Sequence, residues 1–109
     1  MLEKKQLQEE MKKIEGKPWS PIEITKVNEV FVRLALLQGE YHWHKHTNED
    51  EMFLVIKGEF TMHLKDSEDV LLKEGDLITI PKGVEHKPNA KKEAYVLLVE
   101  RQDITTKGD

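Results

Sequence analysis

Short apolar segments separated by turn signals recur along most of this chain of 109 residues. Each segment is a few residues long, and glycine or a cluster of acidic residues follows several of them at close spacing. The predicted strands cover residues 22–27, 30–37, 52–56, 60–64, 70–73, 76–80 and 95–99. Many short strands at such spacing are typical of a β-sandwich or a β-barrel. We therefore expect an all-β fold with a single modest core.

The N-terminal segment has a different, helical pattern. Leu7, Met11 and Ile14 repeat with the four-then-three spacing of one helical face, and a glycine and a proline follow. We expect this amphipathic helix to pack its apolar stripe on the barrel or on a partner subunit. The chain then divides into an N-terminal helix over residues 1–16, a barrel over residues 17–101 and a polar C-terminal tail over residues 102–109.

Composition excludes several classes of protein. The net charge of -4 argues against a nucleic-acid-binding protein. With no cysteine in the chain, there is no disulfide framework and no thiolate site, so any metal must be held by His, Asp or Glu. The first residues lack the apolar core of a signal peptide, and no stretch approaches a membrane span. We expect a cytoplasmic protein that does not bind membranes.

Three histidines and a glutamate have the spacing of a metal site. His44 and His46 are two residues apart, so on a strand their side chains would share one face. Glu51 precedes the next predicted strand, and His86 follows a turn at residues 81–83 that is expected to bring it back to the others. Imidazole nitrogens and one carboxylate oxygen suit divalent transition metals such as iron, manganese, nickel or zinc. The sequence therefore predicts one such metal, with coordination positions left open for a substrate.

These residues also carry a resemblance to a known family. The first conserved motif of the cupins is similar to residues 39–46, which read GEYHWHKH, followed by Glu51 and Gly58. The second motif is similar to residues 75–86, which read GDLITIPKGVEH. The resemblance covers about residues 22–100 and is strongest to the small single-domain cupins labelled mannose-6-phosphate-isomerase-like. Two departures, a shorter gap before the first histidine and an early asparagine in the second motif, leave substrate specificity open.

The resemblance implies a double-stranded β-helix, or jelly roll, with the metal near the mouth of the barrel and usually a homodimer. It implies His44, His46, Glu51 and His86 as the metal ligands. Because cupins include enzymes and binding proteins, the fold does not decide the function. Phosphomannose isomerase activity itself is not expected, since a sugar phosphate needs several basic side chains near the metal and only Arg33 is a candidate there.

Two further residues are candidates for the site. His42 is predicted to share the strand face of the histidine ligands. There it would be a fifth ligand, a hydrogen-bond donor to a ligand or a proton shuttle. The alternative is a partly exposed histidine at the rim of the barrel. Arg33 interrupts an apolar strand, where an unpaired charge is costly. It is either an anchor for a substrate carboxylate or phosphate, or one half of a salt bridge at a subunit interface or sheet edge.

Two functions fit these residues. The first is a metal-dependent isomerase or dioxygenase acting on a small polar molecule, with Glu51 or His42 as the base. The second is a metal-assisted sugar or small-acid binding protein without turnover. A third, weaker alternative is a structural role in which the helix and the acidic surface recruit a partner.

Overall fold

The computed structural model describes residues 2–101 and residue 108. Within these residues, one short helix precedes seven β-strands, and every pairing between those strands is antiparallel. The elements are α1 (Leu7–Lys13), β1 (Ile22–Val27), β2 (Val30–Glu40), β3 (Glu51–Lys57), β4 (Glu59–Leu64), β5 (Val70–Lys73), β6 (Leu77–Ile80) and β7 (His86–Arg101).

The last strand, β7, organises the barrel. Its C-terminal half lies at the centre of the sheet with the order β1-β2-β7-β3-β6. Its N-terminal part pairs with β4, which in turn pairs with β5. Between the two halves the register with β2 shifts, and residues 91–93 are exposed. This irregularity lets one strand serve both walls, and the all-β double-stranded β-helix predicted from the sequence is confirmed.

Two apolar clusters hold the fold together. The larger lies between the walls and is built around side chains such as Phe53, Phe60 and Met62, each of them less than a twentieth exposed. The smaller lies on the outer face of the larger sheet, where Ile14 from the helical segment packs with Leu34 and neighbouring residues. The helix therefore packs its apolar stripe on the barrel, which is one of the two positions that the sequence predicts; the other is a partner subunit.

Three element boundaries differ from the sequence expectations. The helix is shorter than expected, and Gln6 at its N-terminal cap makes no side-chain capping hydrogen bond. The last strand is much longer than the apolar run at residues 95–99. The expected hairpin at Gly58 is wrong, since β3 and β4 do not pair with each other. The chain instead turns a corner there, with Gly58 at a φ of 84° and packed against the backbone of Glu93.

Along residues 2–101 and at residue 108, no helix is long and apolar enough to span a membrane. The predicted tail at residues 102–109 lies outside the described residues except for Gly108.

Candidate metal centre

The structure brings the predicted ligands together. One ligand atom from each of His44, His46, Glu51 and His86 lies within 4.8 Å of the others. Three of the four side chains are buried, and His44 is partly exposed. The grouping joins the loop after β2, the start of β3 and the start of β7.

The histidine loop is held by backbone hydrogen bonds and not by a strand. His44 and His86 form an isolated bridge in which each N–H donates to the other's carbonyl, at 3.0 and 2.9 Å. The N–H of Gly83 donates to the carbonyl of His46 at 2.8 Å, so the turn at residues 81–83 contacts the ligand loop directly. His44 and His46 therefore point into one centre, as their spacing predicts, but they do so from a loop and not from one face of a strand. Apart from this bridge, residues 41–50 form no strand, because they have no longer partner segment to pair with.

Hydrogen bonds fix which ring nitrogens face the centre. Nδ1 of His44 lies 3.1 Å from the carbonyl oxygen of His42, and Nδ1 of His86 lies 2.9 Å from that of Val84. A carbonyl oxygen only accepts, so in each neutral ring the proton is on Nδ1 and Nε2 carries a free lone pair. Metal-binding histidines are commonly oriented by this kind of contact.

The buried polar atoms of the centre match a bound cation. Nε2 of His86 lies 3.7 Å from Oε1 of Glu51 and has no hydrogen-bond partner within the described chain. Nε2 of His46 lies 3.1 Å from the same oxygen. A lone pair facing a buried carboxylate is unfavourable unless a positive charge lies between them. The four residues therefore fit a divalent transition metal, with nitrogen and oxygen donors of the borderline type.

Burial and charge shift the protonation of the ligands. Burial lowers the pKa of His44 from 6.5 to about 4, which keeps the ring neutral and able to coordinate. Burial alone would raise the pKa of Glu51, but contacts with His46, His86 and another carboxyl group outweigh it and lower that pKa. Both shifts favour the protonation states that bind metal.

Arg33 lies outside the pocket beside the metal centre. Its Nη1 lies 2.6 Å from Oε1 of Glu100, and its guanidinium stacks over the Phe31 ring at 4.6 Å. The sequence left this residue open between a substrate anchor and a salt bridge at an edge. The structure places it in an ion pair with a buried glutamate.

His42 is brought near the centre but not into it. Its side chain is exposed, its ring centroid lies 5.3 Å from that of His44, and it is not a member of the metal group. Its carbonyl oxygen accepts a hydrogen bond from Nδ1 of His44, and the two rings meet edge-on.

A small, mostly apolar pocket opens beside the metal group. Its walls are formed by Trp19, Pro21, Ala35, Leu37, Tyr41, His44, Glu51, Phe53, Pro88 and Leu98, and its free space is about 30 Å³. The Trp19 and Tyr41 rings stack with centroids 4.6 Å apart, and Tyr41 meets His44 edge-on at 5.3 Å. Trp19 adopts a φ of 62°, and hydrogen bonds from its backbone N–H and its indole Nε1 fix it to β2.

Sequence reasoning missed three residues of this region. Trp19 was assigned to no pocket wall, because its position depends on hydrogen bonds to a distant strand. Glu100 ends an apolar run and carries no local signal of burial. Gly108 lies against His44, where an added Cβ would come within 2.7 Å of the His44 Cβ.

Comparison with known proteins agrees with this geometry. The family described as the cupin domain matches residues 31–100, a stretch that contains all four members of the metal group. The chain belongs to the cupin family. Among solved structures, a cupin-2 domain containing protein from Shewanella frigidimarina NCIMB 400 matches this cupin with a TM-score of 0.85 and 33% identity, covering 89% of this chain and 93% of that one.

Two curated proteins are similar in sequence to this cupin. The uncharacterized protein YdbB of Bacillus subtilis (strain 168) is 41% identical over 83 residues, which cover 76% of this chain and 74% of YdbB. The 3-hydroxyanthranilate 3,4-dioxygenase 2 of Aspergillus fumigatus is 32% identical over 79 residues, covering 70% of this chain but 39% of the dioxygenase. This cupin thus matches well under half of that enzyme. The mannose-6-phosphate-isomerase-like subfamily stays a prediction.

Proposed function

We propose that this cupin is a metal-dependent enzyme of the oxygenase type that acts on a small molecule. The observation that carries the proposal is the convergence of three imidazoles and one carboxylate beside an apolar pocket, whose walls include His44 and Glu51 of this group. The likeness to a curated dioxygenase supports this reaction class over isomerisation, which is the second reaction that the sequence predicts. An iron, manganese, nickel or zinc ion at this centre would supply Lewis-acid chemistry toward substrate oxygens and, in the case of iron, oxygen activation.

The residues around the centre would orient the substrate and exclude water. His44, His46, Glu51 and His86 would hold the metal at the bottom of the pocket. The remaining walls are mostly apolar, with the Tyr41 hydroxyl and the Trp19 indole N–H as their polar groups, and no lysine or arginine lines the pocket over the part of the chain that is described. A substrate with oxygen donors at one end and an uncharged body suits these walls better than a phosphorylated sugar.

The size of the pocket restricts how a substrate enters. Free space of about 30 Å³ holds one or two water molecules. The coordinating end of a substrate would therefore occupy the inner space, while the rest of the molecule extends toward the mouth beside Tyr41.

Metal analysis combined with an oxygen electrode tests the proposal. Protein purified without an affinity tag is expected to carry one metal per chain, and the His86→Ala variant is expected to lose it. Iron-loaded protein is expected to consume oxygen with uncharged diols, aminophenols or enols, and the variant is not. Stoichiometric metal without oxygen uptake across such a panel would reject the oxygenase and leave an isomerase or a binding protein.

A metal-assisted sugar or small-acid binding protein is the second candidate. The observation in its favour is that Tyr41 is the one non-ligand titratable group lining the pocket within the described residues, and burial raises its pKa. Such a side chain is a poor proton acceptor at neutral pH. Calorimetric binding of a ligand to metal-loaded protein, with the ligand recovered unchanged, would favour this candidate.

We also propose that the protein is a homodimer. Its outer sheet face carries half-buried apolar side chains such as Met52, Leu54 and Leu97, which a second copy would cover. Light scattering coupled to gel filtration measures the mass directly, and a monomeric mass at micromolar concentration would reject the dimer.

A further inference from the structure

The pocket beside the metal group has an aromatic wall, formed by Trp19 and Tyr41. Their rings stack with centroids 4.6 Å apart and planes 24° apart, and the Tyr41 ring also lies 4.1 Å from that of His42. Trp19 and Tyr41 both line the pocket, and Tyr41 meets His44 of the metal group edge-on at 5.3 Å. The aromatic wall therefore begins at the metal group and continues through Tyr41 to Trp19.

Hydrogen bonds hold both residues of the aromatic wall in place. The backbone N–H of Trp19 donates to the carbonyl of Leu36 at 2.9 Å, and its indole Nε1 donates to that of Gln38 at 3.0 Å. The backbone N–H of Tyr41 donates to the carbonyl of Pro88, on β7, at 3.0 Å. A surface that is already ordered loses little conformational entropy when a ligand packs on it.

Trp19 has an unusual backbone conformation at this position. Its φ is 62°, in the left-handed region that bulky residues rarely adopt. Such conformations cost free energy and persist where neighbouring contacts hold them, commonly at ligand sites. Trp19 also precedes residues 31–100, the stretch that matches the cupin domain. Because its ring packs against the larger apolar cluster as well, a role in binding has to be tested separately from a role in stability.

The pocket offers few hydrogen-bond partners outside the metal group. Among the described residues, the Tyr41 hydroxyl and the indole N–H of Trp19 are the polar side-chain groups of the other walls, and the indole N–H already donates to Gln38. A sugar carries a hydroxyl group on most of its carbons, and each hydroxyl that is buried without a partner is unfavourable. A flat ring needs no such partners along its body and gains from contact with other aromatic rings.

We propose that the aromatic wall selects a ligand with a single flat ring and two neighbouring oxygen donors, and that Trp19 is the specificity-determining residue. The inference rests on the proposed metal-dependent function and deepens it by naming the substrate class. The oxygen donors face the metal group, and the ring packs against Tyr41 and Trp19. A puckered ring or a polyol of similar size loses the aromatic contact and binds more weakly.

Hydroxamic acids separate ring recognition from metal binding, because the same pair of chelating oxygens can carry different bodies. Acetohydroxamic acid carries a methyl group, benzohydroxamic acid a flat ring and cyclohexanecarbohydroxamic acid a puckered ring of similar size. Titration of cobalt-loaded protein, followed by its visible absorption, measures the affinity for each compound. We expect wild type to bind benzohydroxamic acid about 10-fold more tightly than acetohydroxamic acid and about 3-fold more tightly than the cyclohexane compound.

Replacements at Trp19 assign this preference to the aromatic wall. Trp19→Leu removes the ring, so its affinity for benzohydroxamic acid is expected to fall about 5-fold, while that for acetohydroxamic acid stays within about two-fold of wild type. Trp19→Phe keeps an aromatic ring and is expected to keep most of the preference, although it loses the indole hydrogen bond. Equal losses for both compounds in Trp19→Leu would show a merely structural role and overturn the inference. A wild type that binds the cyclohexane compound as tightly as the flat one would also overturn it.

Fluorescence provides a second test if Trp19→Leu does not fold. The chain has two tryptophans, and the other, Trp43, is 44% exposed and is not among the residues that line the pocket. In a zinc-loaded Trp43→Phe protein, the tryptophan emission comes from Trp19 alone. Benzohydroxamic acid is expected to change this emission at saturation, and acetohydroxamic acid is not. Emission that stays the same at saturating benzohydroxamic acid would place the ring away from Trp19 and reject the inference.

The outcomes also separate this inference from the proposed function. A wild-type protein that binds no transition metal overturns both. A metal-loaded protein that binds all three hydroxamic acids equally well overturns the ring preference alone. A ring preference that depends on Trp19, without oxygen uptake by iron-loaded protein, would reject the oxygenase and support the ligand class.

Discussion

Arg33 and Glu100 form an ion pair inside the barrel, with Nη1 and Oε1 2.6 Å apart. The arginine interrupts an apolar strand, and the glutamate ends another. Neither charge has a partner nearby in sequence, so the pair exists only because β2 and β7 are neighbours in the sheet. Charges that are buried together in this way depend strongly on each other.

Removing one member of this pair is expected to cost more than removing both. Glu100→Leu leaves Arg33 without its carboxylate and is expected to lower the free energy of unfolding by about 3 kcal/mol. The Arg33→Leu/Glu100→Leu double variant is expected to recover most of this loss, because no uncompensated charge remains. Urea denaturation of chelator-treated protein measures both values. A double variant less stable than the single one would contradict the expectation.

Acidification is expected to destabilise the metal-free protein through His44. Its pKa is lowered from 6.5 to about 4 in the folded state, so the unfolded chain binds a proton first as the pH falls. Stability from this group is present above pH 6.5 and is lost toward pH 4. Glu100 acts in the opposite direction, since its raised pKa makes it bind a proton more tightly when folded.

The comparison that isolates His44 is wild type against His44→Asn, both treated with chelator. Because both proteins keep Glu100, its effect cancels in the difference between their urea midpoints. We expect the wild type to lose stability relative to the variant as the pH falls from 6.5 to 4. If the urea midpoints of the two proteins change with pH in parallel, the His44 ring titrates normally and the expectation is wrong.

Gly58 is expected to tolerate no side chain. At a φ of 84°, an added Cβ would lie 2.6 Å from the backbone oxygen of Glu93, so Gly58→Ala combines backbone strain with a clash. We expect a loss of about 2 kcal/mol or more in thermal or urea unfolding. Gly75→Ala is the matched control, because its φ is 88° but nothing lies within 4 Å of the added carbon. Equal losses at the two sites would show that the close approach to β7 is unimportant.

Gly108 is expected to influence the metal although it is far from the ligands in sequence. A Cβ at this position would lie 2.7 Å from the Cβ of His44 and 2.9 Å from the carbonyl oxygen of Lys45. Gly108→Ala is therefore expected to displace the ligand loop and weaken cobalt binding by about 10-fold. Gly16→Ala, with nothing within 4 Å, is the control. Unchanged affinity would mean that the segment moves away from His44 at little cost.

The four metal-site residues could be predicted because their signals lie in short stretches of the sequence. Spacing alone identified His44, His46 and Glu51, and a turn rich in proline and glycine marked the approach to His86. The first two point into one centre as predicted, but from a loop that is held by His86 and Gly83 and not from a strand. Such contacts depend on residues that no window of sequence contains.

The remaining errors have the same cause. β7 begins in a polar stretch with a proline, and it is a strand because β4 and β2 offer partners there. Gly58 has the sequence of a hairpin turn, yet the strands that flank it pair with different neighbours. The burial of Glu100 follows from its place on the inner face of β7, between β2 and β3. Pairing and register decide these features, and neither follows from propensity.

The length of β7 has a mechanical consequence for the metal centre. A straight strand of its 16 residues would be ~53 Å long, beyond the 44 Å of the whole molecule. Nε2 of its first residue, His86, lies 3.7 Å from Oε1 of Glu51, and the register with β3 places Glu100, near its other end, beside Glu51. The strand therefore bends so that both of its ends lie near Glu51. A displacement of that carboxylate affects both ends of β7 together, while residues 91–93, at the shift in register between the two halves, are exposed.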